Sequence, residues 1–269
     1  MSADQALLDA LEIAARKAGE EIMRVRSAGF ETERKSDASP VTEADRAAET
    51  VILEHLHRIA PGVPVVAEEA FAAGQIPATD GEFFLVDPLD GTREFVAGRD
   101  EFTVNIGLIE KGIPTLGVLY APVLHRMFLG QGNRSWLQEQ GNRISLAGRD
   151  TDLAKLIAVA SRSHRDQPTN DLLKALKVTD TVGVGSSLKF TMLAEGKADL
   201  YPRYGRTMEW DTAAGDAILR AAGGQVLDIE GMPLRYGKSD ISDPFAHAGF
   251  MAFANEKAAH AYLSHMNLR

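Results

Sequence analysis

The chain has 269 residues and no cysteine. Disulfides and thiolate-ligated zinc are excluded, and the composition fits a reducing compartment. No apolar stretch approaches the ~20 residues that span a bilayer. The N-terminus Met1-Ser2-Ala3-Asp4 carries an acid and lacks the basic segment of a signal peptide. Lys and Arg number 29 against 38 Asp and Glu, for a net charge of −9. They form no run long enough for a nucleic-acid-binding stripe. The seven histidines have no metal-ligand spacing, and H-E-x-x-H, Walker A and G-x-S-x-G motifs are missing. Gly183-Val184-Gly185-Ser186-Ser187-Leu188 opens like a dinucleotide fingerprint but lacks its third glycine. There is no internal repeat and no low-complexity tract. The expectation is a soluble cytoplasmic protein with no nucleic-acid polymer as partner and no membrane span. The sequence offers no anchor; it leaves association with the periphery of the inner membrane, and the oligomeric state, open.

What is present is a composition that is 45% hydrophobic and 25% charged, enough for a large core in one domain or two closely joined halves. Apolar residues at helical spacing predict a helix from Leu7 and Leu8 through Leu11, Ala18 and Ile22 to Val25. Residues 30–39 read as a loop or short ribbon. A second helix carries the stripe Ala44, Ala48, Ile52, Leu56, with Thr42 as N-cap and Pro61-Gly62 as its stop. Strands are predicted at 63–67 and 83–86, separated by a loop at 72–81. A period-2 meander follows at 102–108, 113–120, 126–130 and 134–138. The second half alternates strands (156–160, 181–184, 199–201, 225–228, 249–254) with helices (167–176, 187–195, 210–222, 256–266), an α/β rhythm. The expected division is an N-terminal α+β half, 1–150, and a C-terminal α/β half, 151–269. The boundary falls at 146–152 and the active site at the junction.

Chemistry concentrates in Asp87-Pro88-Leu89-Asp90-Gly91-Thr92, directly behind the apolar run Phe83-Phe84-Leu85-Val86. Two carboxylates so close repel unless protons or cations lie between them. Hard oxygen ligands of this kind suit Mg²⁺ or Mn²⁺, which act on phosphates. Three further acidic points stand out: Asp45 in the first turn of the second helix, Glu68-Glu69 at a strand end, and Asp211 after Trp210. Each has a plainer reading. Asp45 completes a T-x-x-D capping box with Thr42, Asp211 favours a helix N-terminus, and Glu68-Glu69 is a solvated pair.

Taken together, Asp45, Glu68-Glu69, Asp87 to Thr92 and Trp210-Asp211-Thr212-Ala213-Ala214 resemble, in order, the four signature blocks of the inositol monophosphatase-like superfamily of Mg²⁺-dependent, lithium-sensitive phosphatases. Within it, residues 87–109, Ala160-Ser161-Arg162-Ser163-His164-Arg165, Gly185-Ser186-Ser187-Leu188-Lys189-Phe190 and 194–203 resemble the bacterial 3'(2'),5'-bisphosphate nucleotidases. The resemblance implies a layered α-β-α-β-α sandwich of the sugar-phosphatase type. It also implies Mg²⁺-dependent hydrolysis of adenosine 3',5'-bisphosphate to AMP and phosphate, which clears a by-product of sulfate activation.

Carried to this chain, it implies metal ligation by Glu68, Asp87, the Leu89 carbonyl, Asp90 and Asp211, with two or three Mg²⁺ ions or Mn²⁺ in their place. Thr92, hydrogen-bonded to Asp45, orients or deprotonates the attacking water, and Glu69 positions another. Gly91 and Thr92 amides cradle the phosphate. Lys189, then Arg203, are the candidates for the second phosphate; for Arg203 a plain surface cation is an equal reading. Ser161, Ser163 and Ser186 face the nucleoside, and His164 stacks there or is structural. Glu209 places an extra acid beside the metal site. The rival readings are an inositol monophosphatase or broad sugar-phosphate phosphatase, and a non-catalytic phosphate-binding regulatory protein.

Overall fold

The structure, a computed structural model, describes residues 3–34, 40–160, 167–238 and 242–267. Helix α1 (Ala3–Ala28) buries Leu8, Leu11, Ala15, Ala18, Ile22 and Val25 along one side, as helical periodicity requires. The ribbon β1 (Thr32–Arg34) and β2 (Pro40–Thr42) leads into α2 (Glu43–Ile59). Thr42 is the N-cap, and Gly62, at φ 89°, turns the chain after the helix ends.

A seven-stranded sheet follows, its strands adjacent in chain order: β3 (Val65–Ala67), β4 (Glu82–Asp90), β5 (Thr103–Glu110), β6 (Ile113–Ala121), β7 (Arg126–Gln131), β8 (Arg134–Glu139) and β9 (Asn142–Ser145). Only β3 and β4 are parallel. Single helical turns, α3 (Glu68–Ala72) and α4 (Thr92–Val96), continue from β3 and β4. The sheet is covered on both sides. Phe84 and Val86 pack with α1 and α2, whereas Phe83 and Leu85 enter the opposite core.

The second half supplies β10 (Ile157–Ala160), α5 (Gln167–Ala175), β11 (Asp180–Gly183), α6 (Leu188–Ala194), β12 (Leu200–Arg203), β13 (Thr207–Met208) and α7 (Trp210–Ala221). These are followed by β14 (Gln225–Asp228), β15 (Ala246–His247), β16 (Phe250–Phe253) and α8 (Glu256–Asn267). The order β11-β10-β12-β16-β14 makes a mixed five-stranded sheet, with β13 and β15 forming a small ribbon. Helices α6 and α7 lie between the two sheets, and α5 and α8 cover the outer face of the smaller one. The layering is α-β-α-β-α. Among the described residues no helix is long and apolar enough to cross a membrane.

Four local features depart from the periodicity reading. Glu68-Glu69 open a helical turn, α3, and do not simply end a strand. The Asp87 to Asp90 segment belongs to β4: Asp87 pairs with Asn105 and Asp90 with Thr103, and the register shifts between them. Pro88 and Leu89 form the bulge, because proline cannot donate to the ladder. Strand β9 and the β13/β15 ribbon were not anticipated, since four exposed residues and two-residue strands carry no periodic signal.

Gly107, Gly117 and Gly130 of the meander are register partners across β5, β6 and β7. They form a track on which α7 lies. A Cβ on Gly117 would come within 2.4 Å of the Ala214 carbonyl oxygen, and one on Gly130 within 2.5 Å of the Ile218 Cα. A Cβ on Gly107 would meet the Ala213 Cβ at 2.8 Å. The small residues of Trp210-Asp211-Thr212-Ala213-Ala214 therefore face backbone, and the close contact sets where Asp211 emerges. Gly117→Ala overpacks this contact and should cost about 1–3 kcal/mol, read by urea unfolding. Undiminished stability would show that α7 does not rest on the track.

Candidate active site

Asp45 closes the helix cap and also reaches Thr92. It is 1% exposed. Its Oδ2 accepts from the Thr42 backbone N–H and hydroxyl, each at 2.8 Å, which closes the capping box. Its Oδ1 accepts from the Thr92 hydroxyl at 3.0 Å. Thr92 Oγ1 also lies 3.2 Å from the Leu89 carbonyl oxygen. The helix cap thus orients a carboxylate against the first residue of α4. Gly91 precedes that turn at φ 97°, and a Cβ there would stand 3.1 Å from the Glu101 carbonyl oxygen. Glycine is required both by conformation and by space.

One turn along α2, Glu49 is buried and serves α3. Its two carboxylate oxygens accept from the Glu69 and Ala70 backbone N–H groups, both at 2.8 Å. Ala67, the α3 N-cap, has no side chain able to do this. Glu49 thereby fixes the direction of Glu68. Sequence reasoning missed it, although an acid four residues after Asp45 within an apolar stripe was the available signal.

Asp87 is buried and accepts from the Leu89 N–H at 3.0 Å, which shapes the bulge. Asp90 Oδ2 accepts from both the backbone N–H and the hydroxyl of Ser187, each at 2.5 Å. Asp211 Oδ2 accepts from the Thr207 hydroxyl at 2.7 Å and the Met208 N–H at 3.0 Å. Burial, and then the neighbouring Asp90 charge, push the Asp211 carboxyl up to about 6. Among the described residues no three acidic or histidine side chains converge into a ready-made ion cage. The carboxylates are turned onto these local donors.

A cleft of about 260 Å³ opens where the two sheets meet. Glu68, Asp90, Gly91, Thr92, Ser186, Lys189, Arg203 and Asp211 line it. Asp45, Asp87, Leu89 and Glu69 do not line it; Asp45, Asp87 and Leu89 are buried behind it. Lys189 is 7% exposed, donates to the Ser186 carbonyl and lies 5.4 Å from the centre of the Tyr201 ring. Burial lowers its pKa, and Asp90 opposes that shift. Ser186 itself takes the left-handed conformation, φ 47°, a strained one for a serine. Arg203 donates to the Gly205 and Arg206 carbonyls at the cleft edge. Arg93, from α4, also lines the cleft and was not singled out by sequence. Ser161, Ser163 and His164 lie outside the described residues.

Glu209 corrects the sequence expectation. It is fully buried and faces away from the cleft. It accepts from the Gly237 N–H at 2.6 Å and the Lys238 N–H at 3.2 Å, and pairs with Lys238 Nζ at 2.8 Å. The same ammonium lies 2.9 Å from His247 Nδ1, and His247 Nε2 lies 3.2 Å from the Thr212 hydroxyl. Burial, and then Lys238, hold the His247 pKa down to about 3. This chain of groups ties the first turn of α7 to the segments behind it. An acid next to the Trp-Asp pair sits on the opposite side of the helix start because successive helical residues are about 100° apart.

Comparison with known proteins agrees with this architecture. The chain is 48% identical over 224 residues to the 3'(2'),5'-bisphosphate nucleotidase CysQ of Salmonella typhimurium, which covers 82% of this chain and 90% of that protein. Its counterpart from Escherichia coli K12 is 45% identical over 232 residues, 86% and 94% of the two chains. Among solved structures, CysQ from Bacteroides thetaiotaomicron, a bacterial member of the inositol monophosphatase family, superposes with a TM-score of 0.76 at 35% identity, covering 94% and 98%. An inositol monophosphatase from Anabaena gives 0.77 at 27% identity, covering 99% and 97%. The sequence profile of the inositol monophosphatase family matches residues 4–261, and the chain belongs to that family.

Proposed function

We propose that the chain is a divalent-cation-dependent 3'(2'),5'-bisphosphate nucleotidase that hydrolyses adenosine 3',5'-bisphosphate to AMP and phosphate. The observation that carries this reading is one cleft with carboxylates on one side, Glu68, Asp90 and Asp211, and a buried ammonium, Lys189, beside them. The bisphosphate substrate class is supported by relatives at 45–48% identity over most of the chain.

The donor set fits Mg²⁺ or Mn²⁺. It consists of hard oxygens without histidine or thiolate, and the Asp90 charge already opposes ionisation of Asp211. Glu68, Asp87, the Leu89 carbonyl, Asp90 and Asp211 would hold the ions. Bound there, divalent cations supply charge neutralisation at the phosphate oxygens and a lowered pKa for water. The protein's own groups do the rest. Thr92, with its hydroxyl proton directed to Asp45 Oδ1, keeps its lone pairs for a proton of the attacking water. Asp45 receives charge without moving, because Thr42 pins its other oxygen. The N–H groups of Gly91 and Thr92 are directed to the phosphate being cleaved. Glu69, at the first turn of α3, orients a further water. Lys189 and Arg203 hold the second phosphate, and Ser186 contacts the nucleoside. No covalent phosphoenzyme is required.

The test is phosphate release from adenosine 3',5'-bisphosphate and from inositol 1-phosphate, with Mg²⁺ and with EDTA. Mg²⁺-dependent release with preference for the bisphosphate is expected. Preference for inositol 1-phosphate would assign the chain to inositol monophosphatase activity. No Mg²⁺-stimulated release from either compound would favour a non-catalytic phosphate-binding role. Asp90→Asn, which removes a ligand charge and keeps an acceptor for Ser187, should lower kcat at least ~100-fold; wild-type turnover would refute the ligand role. Lys189→Ala should raise KM for the bisphosphate about 10–100-fold, the scale of one charge-assisted hydrogen bond. A monophosphate should be affected far less. Equal losses on both would make Lys189 structural.

A further inference from the structure

We infer that Ser187 is a positioning residue that locks Asp90 and Asp211 into the arrangement needed to share a divalent cation; this rests on the metal-dependent reading above. Ser187 stands in the turn before α6 and is 3% exposed. It touches both acid-bearing elements. Its N–H and hydroxyl converge on Asp90 Oδ2, and its Oγ lies 2.7 Å from the main-chain carbonyl oxygen of Asp211. Asn105 Nδ2, on the strand beside Asp87, donates to the same Oγ at 2.9 Å. One hydroxyl therefore joins the bulged end of β4, the neighbouring strand β5 and the start of α7.

The chemistry follows from counting donors. The serine has one hydroxyl proton for two acceptors, Asp90 Oδ2 and the Asp211 carbonyl. Its backbone N–H is directed to Asp90 as well. The hydroxyl can therefore serve either acceptor without releasing Asp90, while Asn105 fills the oxygen's accepting side. Asp90 and Asp211 line the same cleft, and as like charges they repel each other. Two like charges on separate elements move apart unless a shared donor ties those elements together. Among the described residues the hydrogen bonds to Asp90 fall on Oδ2. In Ser187→Ala the backbone donor remains and the hydroxyl's links to Asp90, the Asp211 carbonyl and Asn105 are lost. Ser187→Thr retains that link.

The test is direct Mn²⁺ binding without substrate, with free ion read by electron paramagnetic resonance, together with thermal melting in EDTA. Wild type should bind. Ser187→Ala should bind about tenfold more weakly, the scale seen when a residue that orients a metal ligand is removed. Ser187→Thr should restore affinity, and melting in EDTA should change little. Asn105→Ala, which removes the donor that orients the hydroxyl, should weaken binding in the same direction. Unchanged Mn²⁺ affinity in folded Ser187→Ala overturns the inference and leaves the metal reading standing. A loss that threonine does not restore assigns the effect to packing and also overturns it. If Ser187→Ala does not fold, Asn105→Ala decides, and unchanged affinity there overturns it. Absence of Mn²⁺ binding in wild type overturns both readings.

Discussion

Repulsion between Asp90 and Asp211 is the constraint around which this molecule is arranged. One carboxylate ends a strand of the large sheet and the other opens α7, in different halves of the chain, yet both line one cleft. Left to themselves in water, such groups would separate. Here each is restrained from several directions. Asp90 ends a bulged strand whose register is held by Asn105 and Thr103. Asp211 opens a helix seated directly on the large sheet, because three adjacent glycines let it approach the strands' backbone. Held in this way, both carboxylates stay at one cleft while turned onto local donors.

The same economy of position governs the other wall. Helix α2 carries Asp45 and Glu49 four residues apart, so both project from one face. Asp45 uses its two oxygens on different elements, the helix cap and Thr92, and Glu49 places both of its oxygens on α3, at the Glu69 and Ala70 amides. One rigid helix thus places two segments of the cleft wall. Behind α7, Glu209, Lys238, His247 and Thr212 form a buried polar chain in which the charge of Glu209 is paired and hydrogen-bonded. Burying that acid unpaired would be severely unfavourable, which explains why it keeps a lysine beside it.

The sequence showed much of this. Helical periodicity located α1 and α2, and alternation located the meander. The four acidic blocks, by resemblance, identified which distant segments come together. What it hid has physical reasons. Nothing in the sequence marks Gly107, Gly117 and Gly130 as one track, because only the register brings them side by side. The bulge at Pro88-Leu89 looked like a loop because a proline inside a strand argues for its end. Glu209 sat next to Trp210-Asp211 and was drawn toward the cleft by proximity in sequence, whereas helical rotation turned it away. Ser187 and Glu49 act on backbone groups distant in sequence, and no local pattern marks such partners.

The most direct test of the account is a crystal soaked in Mn²⁺ and examined by anomalous scattering. An ion bridging Asp90 and Asp211, at oxygen distances of roughly 2.0–2.3 Å as hard divalent cations require, is the predicted result. Saturating Mn²⁺ that leaves the space between these two carboxylates without anomalous density would contradict it.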